Sequence, residues 1–307
     1  MFLLLLTNAL FALTYIVAEC TLHFTTPLTL LMYRMLFSGI ILISIQFFLD
    51  KTKLKIRKSD YGSFFLTIFL HMSINFLCET YALQKISGLM VSLFYLLAPI
   101  FSAVIDRVVK KNMLSKTQMA IIVLGLFSSL LMIFINKDAA SNPPEANFSS
   151  IHSLWPYFLL LVSIWSSTLG WYRVKDLMES GYSLVTINGY ASLFSGFLFF
   201  LMRIFLGEIS SISFSVVDFF SSQAILGALL LAIIGNVFAY NLYQFLLKYY
   251  SITAILLAEI LCPCFTSLYL WFFFREVPRF NYFIFFIIFL ILIFIFNYKE
   301  KLKQPII

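Results

Sequence analysis

Residues Ser87–Ile105 read SGLMVSLFYLLAPIFSAVI, an apolar span that opens on a serine and a glycine and carries Pro99 near its middle. The chain repeats the pattern at Ser251–Tyr269, SITAILLAEILCPCFTSLY. One offset of 164 residues carries Ser87 onto Ser251, Pro99 onto Pro263, Phe101 onto Phe265 and Ser102 onto Thr266. Proline in a helix removes a backbone donor and leaves a carbonyl for a neighbouring helix, a hydroxyl or water to satisfy. Proline alone is common in membrane helices. Two prolines in one register are a stronger signal, because interrupted helices at matching places in two halves mark the ligand site of membrane carriers.

Working outward, 62% of the 307 residues are hydrophobic, 11% are charged, and mean hydropathy is +0.97. A soluble domain is about half apolar and a quarter charged, so lipid must be the solvent for most of this chain. Ten apolar stretches reach the ~20 residues that a span needs. They fall near 2–22, 28–49, 61–83, 86–105, 117–136, 154–172, 184–206, 222–245, 252–274 and 280–298. No stretch between them is long enough for a soluble catalytic domain. Residues 2–22 lack a charged leader and read as a retained first span.

With both termini placed in the cytoplasm, fifteen Lys and Arg fall in inside loops, five in outside loops, and Arg34 lies within a span. That asymmetry obeys the positive-inside rule and accounts for the net charge of +7 without invoking nucleic acid. The four cysteines lie in or beside spans. Cys262 and Cys264 flank Pro263 at a spacing that suits neither zinc nor a redox pair, and read as packing residues.

The polar stretch at 137–153, with Pro143–Pro144, reads as a periplasmic linker between a first five-helix repeat at 1–136 and a second at 154–298. A basic cytoplasmic tail follows at 299–307. Leu36-Phe-Ser-Gly39 recurs as Leu193-Phe-Ser-Gly196 at an offset of 157, which also carries Thr29 and Tyr33 onto Thr186 and Tyr190. Five is an odd number, so the second half enters the membrane from the opposite side. The expected fold is an all-α polytopic membrane protein, ten transmembrane helices in two inverted five-helix repeats, with a cavity near the midplane.

These residues resemble the ten-helix drug/metabolite transporter superfamily and its EamA-type carriers. The likeness rests on Arg34, on Ala82-Leu-x-x-Ile-Ser87 leading to Ala98-Pro99, and on Ser251, Pro263 and Arg275-Glu276. The chain departs from the pattern at Asn112, aligned with Glu276, and at Glu259, an acid at a position that is usually neutral. The resemblance implies secondary transport of a small metabolite across the bacterial inner membrane, with no cofactor. Its partners are a substrate, a proton or counter-substrate, and the bilayer. The Phe/Ile/Leu-rich composition further resembles S-adenosylmethionine uptake carriers of AT-rich intracellular bacteria, which implies exchange for S-adenosylhomocysteine. Export of amino acids or drugs is the alternative within the family.

Ionisable groups inside spans are costly, so each is a functional candidate. Arg34, Glu79 and Glu259 are the deep ones, and Tyr95 aligns with Glu259. An Arg34–Glu79 ion pair is the structural alternative for the first two. Glu79 shares a helical face with His71, Asn75 and Ala82. Glu19 reads as interfacial, and His71 as a hydrogen-bonded packing residue with no second metal ligand at a suitable spacing. Trp165 and Trp171 accompany Ser163, Ser166 and Ser167 on the sixth span. Asn236, Tyr240, Tyr243 and Gln244 form a polar-aromatic face on the eighth. Flat rings beside amides and acids suit a heterocycle or a cation. The expected substrate site is therefore Arg34, Glu79, Tyr95, Trp165, Tyr240 and Glu259, hinged at Pro99 and Pro263, with Trp171 assigned to an interfacial belt. An intramembrane enzyme is the competing class. It would need clustered catalytic groups, whereas His23, His71 and His152 are dispersed and no acid pair sits one turn apart within a span.

Overall fold

The computed structural model describes residues 2–108, 115–135, 154–206, 222–276 and 281–301. The linker at 137–153, Asn112 and the last six residues of the basic tail lie outside them. The described residues form ten helical segments and no strand. They are α1 (Phe2–Leu22), α2 (Pro27–Asp50), α3 (Lys58–Leu83), α4 (Gly88–Val108) and α5 (Lys116–Ile135), then α6 (Trp155–Glu179), α7 (Leu184–Phe205), α8 (Ser222–Leu246), α9 (Ile252–Phe274) and α10 (Asn281–Lys301). Seven are long and apolar enough to cross a membrane, which makes this a multi-pass membrane protein. The sixth helix outruns its expected end at residue 172 and runs on through Arg173–Glu179, with Val174 and Leu177 buried against the bundle.

Matching local devices recur at the two offsets. Ser87 caps α4 through Met90 N–H at 3.3 Å, and Ser251 caps α9 through Ala254 N–H at 3.1 Å. Thr26 and Ser183, 157 residues apart, cap α2 and α7 in the same way, each with its hydroxyl against the threonine three residues on. Pro99 and Pro263 cannot donate to the carbonyls of Tyr95 and Glu259. Both helices tighten there into one 3₁₀ turn, Tyr95–Leu97 and Glu259–Leu261, and the N–H of Ala98 or Cys262 takes the freed carbonyl. The two 3₁₀ turns touch each other. In α3 and α8 the wide turns also correspond, with π-helix at Ile68–Ile74 and Ala232–Ala239.

The most extensive helix pairing is α2 against α7. Small residues permit it: a Cβ on Gly39 would lie 2.6 Å from the Leu193 backbone nitrogen, and one on Gly196 would lie 2.8 Å from that of Leu36. Each glycine of the repeated Leu-Phe-Ser-Gly motif thus seats the leucine of the other copy. Close backbone approach of this kind favours packing between helices in lipid, where no hydrophobic effect operates between them. Helix α3 lies on α6, α1 on α8 and α9, and α5 on α10 at the periphery.

At one end of the bundle a clasp ties the α2–α3 connection to the α6–α7 turn. Arg57 donates to Asp60 at 2.8 Å and to the Ser180 carbonyl at 3.0 Å, while Tyr182 O–H donates to Asp60 at 2.6 Å. Gly181, at φ +94°, makes that turn possible.

Candidate functional site

The two 3₁₀ turns border a cavity in the middle of the bundle. It is walled by Tyr15, Arg34, Phe76, Glu79, Tyr95 and Glu259, with Phe11, Trp171 and Tyr240 completing the aromatic side. Its empty space is about 430 Å³, divided by the side chains that wall it, so that in this conformation there is room for little more than a couple of waters.

Of the expected site residues, Arg34, Glu79, Tyr95, Tyr240 and Glu259 meet around this one cavity. Trp165 does not. It is 41% exposed on the outer side of α6, edge-on to Phe101 at 5.2 Å. Trp171, assigned by sequence to an interfacial belt, is 2% exposed and lines the cavity, stacked on Tyr243 at 3.7 Å. Six residues separate the two tryptophans, about two-thirds of a circle around the helix, so α6 turns only one of them inward. The serines carry the signal that the sequence reading passed over: Ser163, Ser166 and Ser167 are all buried on an arc centred nearer Trp171 than Trp165.

The acids differ in their surroundings. Tyr95 O–H donates to Glu79 and stands 3.0 Å from both Asn75 Oδ1 and Ser163 Oγ. Ser163 also donates to Asn75 Oδ1 at 2.8 Å, and Asn75 Nδ2 reaches the Tyr240 hydroxyl at 3.4 Å. Glu79 therefore belongs to a network joining α3, α4, α6 and α8. The Glu259 carboxylate makes no hydrogen bond or ion pair with the described residues and faces the cavity bare. Arg34 does not pair with Glu79, contrary to the structural alternative. Its Nε donates to Asn236 Oδ1 at 2.9 Å, and its guanidinium lies 4.2 Å above the Phe76 ring. One cation and two acids thus stand around a narrow, aromatic-walled space.

Three side chains depart from or add to their sequence readings. Glu19 is not a free interfacial acid, because its carboxylate accepts the Gly88 N–H at 2.7 Å and caps α4. His71 is buried, yet neither ring nitrogen has a hydrogen-bond partner. Its ring lies 4.2 Å from Trp171 and 5.3 Å from Tyr240. Cys262 does more than pack, since its S–H reaches Asn8 Oδ1 at 3.2 Å on the cavity wall. Among the described residues no three His, Cys, Asp or Glu side chains gather as metal ligands.

A second, larger hollow, with about 1360 Å³ of empty space open to solvent, lies at the end of the bundle that carries the clasp. Lys53, Lys175 and Lys248 line it, with Glu179, Ser183 and Leu247.

The comparison with curated proteins finds no match. Among solved structures, one described as "Crystal structure of protein" aligns with TM-score 0.72 over 99% of this chain and 98% of its own, at 13% identity. That likeness establishes the fold alone. By sequence, residues 1–134 match the EamA-like transporter family. Over its first 134 residues, then, this multi-pass membrane protein is similar to the EamA-like transporters, on a chain that shares one known fold along nearly its whole length.

Proposed function

We propose that the protein is a secondary carrier that moves a small metabolite across the bacterial inner membrane by rocking two inverted five-helix halves, near 1–136 and 154–298, about Pro99 and Pro263. The observation that carries this reading is the central cavity. Two prolines in one register break two helices there, and the breaks border a space holding an unpaired acid, Glu259, beside Arg34 and stacked aromatic rings. A scaffold or packing role gives no reason to bury a bare carboxylate at the meeting point of two broken helices.

The chemistry of the walls favours a substrate with a positive centre, a carboxylate and a flat ring. The acids and ring faces attract the first, Arg34 suits the second, and Trp171 and Tyr240 suit the third. S-Adenosylmethionine has all three, with exchange for S-adenosylhomocysteine as the proposed mode. It is far larger than the present cavity, so the halves must part to admit it. The test is uptake of labelled S-adenosylmethionine into proteoliposomes. Excess unlabelled compound and S-adenosylhomocysteine are expected to abolish it, and neutral amino acids to leave it unchanged. Uptake absent from correctly inserted protein rejects this substrate. Accumulation of a labelled amino acid or drug instead supports the family alternative.

The same reading puts both termini in the cytoplasm. Thr52 and Gln84 are exposed at opposite ends of α3. A cysteine at Gln84 is expected to react with an impermeant maleimide in intact cells, and one at Thr52 only after permeabilisation. The reverse pattern inverts the orientation.

A further inference from the structure

Between the cavity and the lysine-lined hollow lies a set of buried polar side chains for which the carrier reading so far has no use. His71 on α3, Asn188 and Ser192 on α7, and Tyr243 and Gln244 on α8 are all fully buried. Each has at least one polar atom with no hydrogen-bond partner: both His71 ring nitrogens, Asn188 Nδ2, Ser192 Oγ, the Tyr243 hydroxyl and Gln244 Oε1. Leucine or phenylalanine would fill these places without leaving a buried polar group unpaired, which is a destabilising arrangement. Five such residues need a reason.

Their order supplies it. On α8, Leu247 lines the hollow, Gln244 and Tyr243 come next, and Tyr240 reaches the cavity, a descent of about 10 Å. On α7, Leu184 lines the hollow, and Asn188, Ser192 and Ser195 follow at helical spacing. Gln244 Nε2 donates to Asn188 Oδ1 at 2.6 Å, and Ser195 meets Ser73 at 2.9 Å, two residues from His71. His71 packs on Tyr240, whose hydroxyl accepts from Asn75, and Asn75 is bonded to the Tyr95 that holds Glu79. Polar side chains therefore recur at intervals from the hollow to a cavity acid, and the unpartnered atoms among them are donors and acceptors that water can bridge.

We propose that His71, Asn188, Ser192, Tyr243 and Gln244 form a water-bearing proton path between the lysine-lined hollow and the acids of the central cavity. A neutral imidazole carries one N–H and one bare nitrogen. It takes a proton on the bare nitrogen from water on the hollow side and releases the other proton toward the cavity, so the ring ends neutral. The proton comes from bulk water and ends on the carboxylate of Glu79 or Glu259. The path is faced by Glu79, Tyr95, Tyr240, Glu259 and Arg34 at the cavity end. Lys53, Lys175, Lys248 and Glu179 face it at the hollow, with Trp171 as a neutral wall. The proposal rests on the carrier reading and names a proton as its coupling ion.

The test needs no substrate. Deuterium exchange at the C2 position of each histidine, followed by mass spectrometry of the full-length protein in nanodiscs, reports contact with water. His71 is expected to exchange within about tenfold of the exposed His23, and Gln244→Leu or Asn188→Leu to slow His71 by about tenfold or more while leaving His23 unchanged. A wild-type His71 that stays protonated at C2 after His23 has fully exchanged overturns the path. So does exchange at His71 that neither variant alters. Failure of S-adenosylmethionine uptake with this exchange pattern intact counts against the carrier reading and not against the path.

Discussion

Replacing Glu259 by glutamine is expected to cost the carrier on the order of thirtyfold in affinity for a cationic substrate. The substitution keeps volume and polarity and removes only the charge. In the cavity that charge is bare: Glu79 is held by Tyr95, whereas Glu259 has no partner among the described residues. A desolvated cation beside aromatic faces gains about 2 kcal/mol or more from them, and a bare acid in the same space adds a comparable attraction. Losing about 2 kcal/mol is roughly thirtyfold in Kd. Concentration-dependent uptake of labelled S-adenosylmethionine reads this directly, with a raised KM as the expected form. Trp165→Phe, on the outer side of α6, is the matched control and is expected to leave KM unchanged. Wild-type KM and rate in the Glu259→Gln carrier would remove Glu259 from the site.

The second large effect is structural. Gly39→Ala places a methyl group within 2.6–2.9 Å of Leu193 backbone and Cβ atoms, which no rotamer change relieves. Gly196→Ala meets Leu36 in the same way at 2.8–3.0 Å. Either change forces α2 and α7 apart along the broadest contact in the bundle and is expected to destabilise by about 3 kcal/mol. Gly62→Ala, with nothing within 4 Å, is the silent control. Thermal unfolding in detergent measures all three. A Gly39→Ala Tm equal to wild type would mean that α2 and α7 are not packed as described.

The sequence made the spans legible because lipid imposes one dominant rule, continuous apolarity over the bilayer thickness. It made the prolines and the acids legible because both are rare or costly there. What it concealed is rotational. The choice between Trp165 and Trp171 depends on which face of α6 looks inward: Ser163, Ser166 and Ser167 are all buried on an arc centred nearer Trp171, a signal carried by helical angle and not by composition. The π-helical turns at Ile68–Ile74 and Ala232–Ala239 were concealed for a related reason. A widened turn shifts every later side chain around the axis, and no residue type announces it. Capping by Glu19 joins helices far apart in sequence, where spacing says nothing.

One correspondence gives the proposed carrier a handedness of its own. The offset that carries Tyr95 onto Glu259 also carries Glu79 onto Tyr243. Each half therefore owns one acid and one phenol, with the two exchanged between the positions. Here the first pair is bonded, Tyr95 to Glu79, while the Tyr243 hydroxyl and Glu259 remain apart and unpartnered. If the halves interchange shapes as inverted repeats do, the opposite-facing state joins Tyr243 to Glu259 and frees Glu79. The binding chamber then never presents the same bare acid to both sides of the membrane. Its two doorways differ in chemistry, and a cation is held unequally at each. Such an exchanger binds its substrate with different KM values on its two faces, a difference written into four side chains, while the gradients alone set the direction of net movement.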